Sequence, residues 1–298
     1  MGKITVPRQM RKRRNPMIKL IAIDMDGTLL DDNKEISAKN KAVLQEAAQA
    51  GIKIVLCTGR PKSGILPYFD QLSLTDEEYV IGNNGCLTMS SKDWQFLRIE
   101  GVESDRLDAL EALLVDFPQL NLVLFTPEAN YILGQEINAQ ARKDSEIEFS
   151  KIFHTDLASF KRQEIPVLVP IFMGETPILD AFQARFEDQL AQEFNTVRSL
   201  DYAFEALPMG VSKAKALADL AQDLGISAAE VMAIGDGNND LEMLEFAGLS
   251  IAMGNANDAV KEMADFVTAS NEESGVAQAI LDHVLHPDGL YAERKRDE

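Results

Sequence analysis

The chain has 298 residues, 46% of them hydrophobic, enough to bury a large core or two domains and too many for a disordered polypeptide. Its formal net charge of −19 argues against nucleic acid or an anionic membrane surface as a partner. No apolar run approaches the ~20 residues that a membrane-spanning helix needs, and no secretory signal is recognisable.

Residues 1–16 carry Lys3, Arg8, Arg11, Lys12, Arg13 and Arg14 and no acid. This basic leader is expected to be disordered, with Met17 a natural start of the fold; a nucleic-acid arm is the less favoured reading. From Met17 an apolar strand runs through Ile23 and ends in Asp24-Met25-Asp26-Gly27-Thr28-Leu29. Carboxyl ends of strands are where open α/β sheets bind ligands. Side chains two apart on a strand point the same way, so Asp24 and Asp26 are expected to reach one reacting centre. That pairing suits a nucleophile and a general acid–base acting in turn on a phosphoryl group. A calcium loop fits poorly, because its glycine stands sixth and follows a helix, whereas Gly27 stands fourth and follows a strand.

Ser37 reads as the cap of a helix through residues 40–47 that Gly51 ends. A second apolar strand, 52–57, runs into Thr58-Gly59-Arg60. Thr58 and the neighbouring backbone N–H groups suit phosphate oxygens, and Arg60 is placed to reach substrate or to pair with an acid. A further helix and strand carry the alternation to about Gly85, and from about Cys86 to Ser199 the character changes. A strand pair near 87–99, a helix over 105–117, strands near 122–125 and 131–133, an irregular stretch to about 162, a strand at 166–173 and a helix at 177–194 describe an inserted α+β unit.

Gly210-Val211-Ser212-Lys213 then reopens the α/β alternation. Ser212 reads as the N-cap of the next helix, which puts Lys213 at its positive end, a favourable place for an anion. The strand 231–235 ends in Gly235-Asp236-Gly237-Asn238-Asn239-Asp240, and an apolar helix follows. Asp24 and Asp236 are expected to meet at adjacent strand ends and share Mg²⁺, a hard cation that takes oxygen ligands. Asp240 can cap the helix and still hold a metal-bound water. Cys57 and Cys86, the only cysteines, read as buried thiols of a reducing compartment. His154, His283 and His286 lie far from these segments. Residues 287–298 form a charged, solvated tail.

The four strand-end segments resemble, in order, the four motifs of the haloacid-dehalogenase (HAD) superfamily of phosphohydrolases, and the chain is similar to its Cof-type sugar-phosphatase branch. Asp24 to Leu29 matches the first motif, Thr58-Gly59-Arg60 the second, Lys213 the third and Gly235 to Asp240 the fourth. Asn84-Gly85 and Ala252-Met253-Gly254-Asn255-Ala256 extend the resemblance, which spans about residues 17–285. It implies an α/β fold: a Rossmann-like parallel-sheet core, 17–87 and 200–286, with an inserted α+β cap domain of the C2 type at 88–199. It also implies a cytoplasmic, Mg²⁺-dependent phosphatase that hydrolyses small phosphorylated metabolites, sugar phosphates or similar, through an aspartyl-phosphate. Asp24 would be the nucleophile and Asp26 the acid–base. The metal would lie on Asp24, the backbone carbonyl of Asp26 and Asp236, with Asp240 holding a bound water or Lys213. Thr58, Gly59, Lys213 and Asn239 would bind phosphate, and Arg60 would contact substrate. The cap would close over the site, exclude water and read the leaving group. The oligomeric state stays open, a homo-oligomer included. A phosphomutase on the same scaffold is an alternative; a receiver-like regulatory module is shorter and needs neither an insertion nor an acid at position 26.

Overall fold

The structure, a computed structural model, describes residues 17–287 and contains two β-sheets. The basic leader and the charged tail beyond Pro287 lie outside the described residues. In chain order, β1 (Leu20–Ile23), α1 (Ala38–Gln49), β2 (Lys53–Cys57), α2 (Lys62–Leu72), β3 (Tyr79–Gly82), β4 (Leu87–Ser90) and β5 (Phe96–Ile99) come first. Next are α3 (Arg106–Ala112), β6 (Asn121–Phe125), β7 (Asn130–Leu133), α4 (Ala139–Ile147), β8 (Ile152–His154), α5 (Leu157–Lys161), β9 (Val169–Met173), α6 (Thr176–Leu190), β10 (Phe194–Leu200) and β11 (Ala203–Pro208). The chain then adds α7 (Lys213–Asp223), β12 (Val231–Gly235), α8 (Leu241–Phe246), β13 (Leu249–Ala252), α9 (Asp258–Met263), β14 (Phe266–Val267) and α10 (Gly275–Ile280).

The first sheet has the order β14-β13-β12-β1-β2-β3-β4-β5, parallel from β14 to β3 and antiparallel at β4 and β5. Its central strands are unbroken aliphatic runs, because helices cover both faces. Ile23 of β1 is level with Leu56 of β2 and Ile234 of β12. Three loops therefore leave the sheet side by side at one height. The expected caps form: the Ser37 hydroxyl accepts from the Asn40 N–H and the Ser212 hydroxyl from the Lys215 N–H.

The second sheet, β10-β11-β9-β6-β7-β8, is antiparallel except for the β7–β8 pair. Period-two alternation gives it two working faces. Leu122, Leu124, Leu133, Phe172, Phe204 and Ala206 pack under α3, α5 and α6 as a separate core. Val123, Phe125, Ile132, Val169, Ile171, Met173, Ala203 and Leu207 turn the other way and join the core of the first sheet.

The sheets divide the chain elsewhere than at the expected limits of 88 and 199. The hairpin β4–β5 hydrogen-bonds to β3 and belongs to the first sheet, while β11 pairs with β9 and belongs to the second. A strand's own pattern of apolar residues does not say which sheet edge it joins; here the tight turn at Asn83–Gly85 returns β4 directly onto β3. The stretch read as irregular contains α4, β8 and α5, elements of nine, three and five residues, too short to impose a period on the sequence. The helix expected over 105–117 runs as α3 and then as a 3-10 turn, Leu113–Val115, while α6 stops earlier than expected, at Leu190, and β10 starts at Phe194.

Phe182 of α6 lies among Phe172, Phe117, Phe186 and Phe204, with ring centroids 4.3 to 6.3 Å away. Phe182→Ala should therefore lower stability by about 3–5 kcal/mol, the cost of an aromatic-sized hole in a packed core. Urea unfolding followed by circular dichroism measures this directly.

Candidate active site

The site forms where the loops after β1, β2 and β12 meet. Asp24 follows β1, and its N–H donates to Ile234 O at 3.0 Å, which ties it to the neighbouring strand. The chain then turns sharply, with Leu30 N–H on Met25 O at 2.9 Å and Asn255 Nδ2 donating to Gly27 O at 2.8 Å. Gly27 has φ +79°, and a Cβ there would stand 2.5 Å from Asp236 Oδ2. Only glycine suits both that backbone and that proximity.

Lys213 enters from the first position of α7 and is 1% exposed. Its Nζ donates to Asp24 Oδ1 at 2.6 Å and to Asp240 Oδ1 at 2.7 Å. Two of its three N–H donors are used, and one is left. The other Asp240 oxygen accepts the N–H groups of Asp236 and Gly237 at 3.1 and 3.0 Å, so this carboxylate folds the loop after β12 while it holds the lysine. Thr28 Oγ1 donates to Asp236 Oδ1 at 2.8 Å. Asp24, Asp236 and Asp240 each offer an oxygen within 4.8 Å of the others.

Burial, followed by the charge of Asp240, pushes the Asp24 carboxyl well above its ordinary value, against the pull of Lys213. Asp236 is raised too, by burial and then by Asp240, with the Thr28 hydrogen bond opposing. Burial works against the Lys213 ammonium, yet Asp24 and Asp240 together hold it above a free lysine.

Asp26 lies in a different network. Its oxygens accept Arg60 Nε at 2.6 Å, Arg60 Nη2 at 2.7 Å and Lys34 Nζ at 2.8 Å. Burial opposes ionisation there, but the Arg60 hydrogen bonds and then Lys34 outweigh it and bring the Asp26 pKa down to about 2. Of the two uses open to Arg60 in the sequence, pairing with an acid is the one the structure contains. Asp24 and Asp26 both line one cavity, as alternation suggests, but their carboxylates serve separate cations.

That cavity, about 430 Å³, lies between the two sheets. Thr58, Gly59, Asp236 and Asn239 also line it on the side of the first sheet. The Thr58 oxygen accepts the Arg60 N–H at 3.2 Å, and Asn239 Nδ2 donates to Asn84 Oδ1 at 3.2 Å. From the other side come Asp144 of α4, Glu148 just after it, Tyr202 between β10 and β11, and Glu205 of β11, none of them singled out from sequence. Glu205 carried a readable signal, a charge inside the apolar strand Ala203–Pro208. Asn83 and Asn84 carried another, as residues that tolerate the positive φ of 49° and 54° they adopt. Lys34, Asp144, Glu148 and Tyr202 had no sequence signal, since nothing local connects them with the strand-end motifs.

Similarity to known proteins extends over most of the chain. The description "haloacid dehalogenase-like hydrolase" matches residues 21–280. "Putative phosphatase YxeH" of Bacillus subtilis is 38% identical over 276 residues, covering 90% of this chain and 99% of that protein. The "5-amino-6-(5-phospho-D-ribitylamino)uracil phosphatase YwtE" of the same organism is 32% identical over 298 residues, covering 92% and 100%. A haloacid dehalogenase-like hydrolase from Bacteroides thetaiotaomicron superposes with a TM-score of 0.79 at 31% identity, covering 88% of this chain and 98% of that one.

Lys213→Met leaves Asp24 and Asp240 buried without their counter-charge and should cost about 3–5 kcal/mol of stability at pH 7. Asp24, already raised by burial and Asp240, is raised further by the loss, so its protonated form gains weight in the folded state. The deficit should accordingly shrink as pH falls from 7 towards 5, and urea unfolding at the two pH values reads both effects.

Proposed function

From the premise that the chain belongs to the haloacid dehalogenase-like hydrolases, we propose that it hydrolyses small phosphomonoesters with Mg²⁺ and through an aspartyl-phosphate on Asp24. At the coarser level it is an enzyme of that family, a phosphoric monoester hydrolase acting on small phosphorylated substrates. What carries the finer reading is the carboxylate of Asp24 at the end of β1, held by Lys213 with Asp236 within 4.8 Å.

The carboxylates of Asp24 and Asp236 are a hard-oxygen donor pair of the kind Mg²⁺ takes, and they would hold it together with the carbonyl oxygen of Asp26. Asp240, occupied by Lys213 and two backbone N–H groups, would stand behind them. When bound, the ion supplies positive charge against the phosphoryl oxygens. The Asp24 oxygen attacks phosphorus in line; the new O–P bond forms as the bond to the leaving oxygen breaks, and a proton from Asp26 goes to that oxygen. Asp26 then takes a proton from water, whose oxygen attacks the same phosphorus. Inorganic phosphate leaves and the Asp24 carboxylate is restored. Thr58, the Gly59 backbone, the remaining Lys213 donor and Asn239 bind the phosphate oxygens, and Arg60 supports Asp26 and the substrate beside it.

The leaving group occupies the cavity under the second sheet, whose side chains select it. Sugar phosphates and similar polyol esters fit this reading, and the relative named for a phosphorylated ribityl compound supports it. The free, buried thiols of Cys57 and Cys86 agree with a reducing, cytoplasmic setting. No helix among the described residues is long and apolar enough to cross a membrane.

Inorganic phosphate should be released from a panel of sugar monophosphates, nucleoside monophosphates and pyridoxal phosphate with Mg²⁺ and not with EDTA. Release from none of them, or release indifferent to EDTA, refutes the proposal. Asp24→Asn should retain less than about 1% of turnover, an amide being unable to attack phosphorus. With p-nitrophenyl phosphate, whose leaving group needs little protonation, Asp26→Ala should give a burst of p-nitrophenol followed by slow turnover, because hydrolysis of the intermediate still lacks its base. Stopped-flow absorbance resolves the two phases.

A further inference from the structure

Arg60 stands between two carboxylates and hydrogen-bonds to one of them. Nε and Nη2 hold Asp26, while Nη1 makes only a long contact, 3.4 Å, with the Gly64 carbonyl. Over Gly64 lies Glu148, the residue that follows α4 in the second unit. Its Oε2 is sealed from solvent and accepts no hydrogen bond, although the Arg60 charge attracts it. Gly64, the third residue of α2, makes room for it: a Cβ there would collide with Glu148 Oε2 and would come within 3.5 Å of Arg60 Cβ. The same edge of the second unit is docked on the first turn of α2 by Ser150 Oγ with Ser63 Oγ and by Glu128 with Lys62, both at 2.9 Å.

A buried carboxylate oxygen without a donor is costly, and Arg60 Nη1, whose contact with the Gly64 carbonyl is long, reaches the same residue that Glu148 overlies. For Arg60 to satisfy Glu148 the guanidinium has to move, at the expense of Asp26. Asp26 cannot carry a proton to a leaving group while three charged N–H donors occupy its oxygens. Two carboxylates competing for one guanidinium make an element with two states.

We propose that Glu148 is a positioning residue for Asp26 and acts through Arg60: with substrate seated, the guanidinium passes to Glu148, and Asp26, left with Lys34, turns to the leaving oxygen. The inference rests on the reading of Asp26 as the acid–base. It explains why an unpaired acid from the second unit is buried against the first, and it joins docking of the two units to release of the proton donor.

The test uses the full chain with Mg²⁺ and two variants. Glu148→Gln keeps the shape and removes the charge. Gly64→Ala expels the carboxylate without altering it and replaces a helical glycine, so its thermal midpoint should equal or exceed that of the wild type. The alkyl phosphate is whichever of glucose 6-phosphate, ribose 5-phosphate and glycerol 3-phosphate the wild type turns over fastest. On it, both variants should lose kcat by roughly tenfold, part of what general acid–base catalysis contributes, with KM little changed. For Gly64→Ala the p-nitrophenol burst rate should stay within about twofold of wild type. Asp26→Ala combined with Glu148→Gln should be no slower than Asp26→Ala alone. Equal losses on both esters, a change in KM alone, unchanged kcat, or an additive double variant overturns the exchange while leaving the acid–base reading in place. An Asp26→Ala enzyme that hydrolyses alkyl phosphates like the wild type, or a wild type that releases phosphate from no ester tried, overturns the reading of Asp26 and this inference with it.

Discussion

The buried Lys213 ammonium is the interaction on which the site depends. Asp24, Asp236 and Asp240 lie within 4.8 Å of one another in a region largely closed to water, where like charges repel strongly. One cation touching Asp24 and Asp240 makes that packing tolerable. The same contacts fix the direction of the Asp24 carboxylate, since its Oδ1 is taken by the lysine. They also join α7 to the loops after β1 and β12, whose Asp24 and Asp240 lie 189 and 27 residues from Lys213 along the chain.

A chain of net charge −19 that acts on anions has to concentrate positive charge locally. Here it does so by spending each cation on a carboxylate: Lys213 on Asp24 and Asp240, Arg60 and Lys34 on Asp26. The pairs neutralise the site without making it cationic; under the proposed function the attraction for phosphate would come from unused N–H donors and from the metal that the carboxylate pair suits. Asp24, raised by burial, and Asp26, lowered chiefly by Arg60, are thereby separated in proton affinity although only one residue stands between them. The proposed roles need the opposite order, a protonated acid at Asp26 and an ionised nucleophile at Asp24, so Asp26 has to be freed from Arg60, and Asp24 has to keep Lys213, for that chemistry to run.

The second sheet contributes through the face it turns to the first. Alternation sends Phe172 and Phe204 into one core and Ile171, Ala203 and Met173 toward the other body. Glu205 occupies one of those inward positions and, with Asp144 and Glu148, gives the cavity a polar roof over an apolar wall. Burial raises Asp144 to about 6 and Glu148 to about 7, so both are poised to change with whatever donor a ligand brings. The strand-end groups are held by the first sheet and the roof by β11 and α4; the two sides face each other across the cavity and touch at Asn84–Glu205 and Gly64–Glu148.

Local order was legible in the sequence. The aliphatic runs of β1, β2 and β12, the caps Ser37 and Ser212, and the acids at strand ends follow from hydrogen-bonding rules and apolar patterns that act within a few residues. Parallel strands side by side then brought Asp24, Thr58 and Asp236 together, as that pattern requires. What tertiary structure decided was choice of partner. Whether β4, β5 and β11 joined one sheet or the other, whether Arg60 met substrate or Asp26, and whether Glu148 reached Gly64 depend on which surfaces close against each other. Apolar periodicity records how deeply a residue is buried, but it is indifferent to the identity of the neighbour, because the hydrophobic effect has no direction. Hydrogen bonds and ion pairs do have direction, and between distant segments they are set only once the sheets have packed.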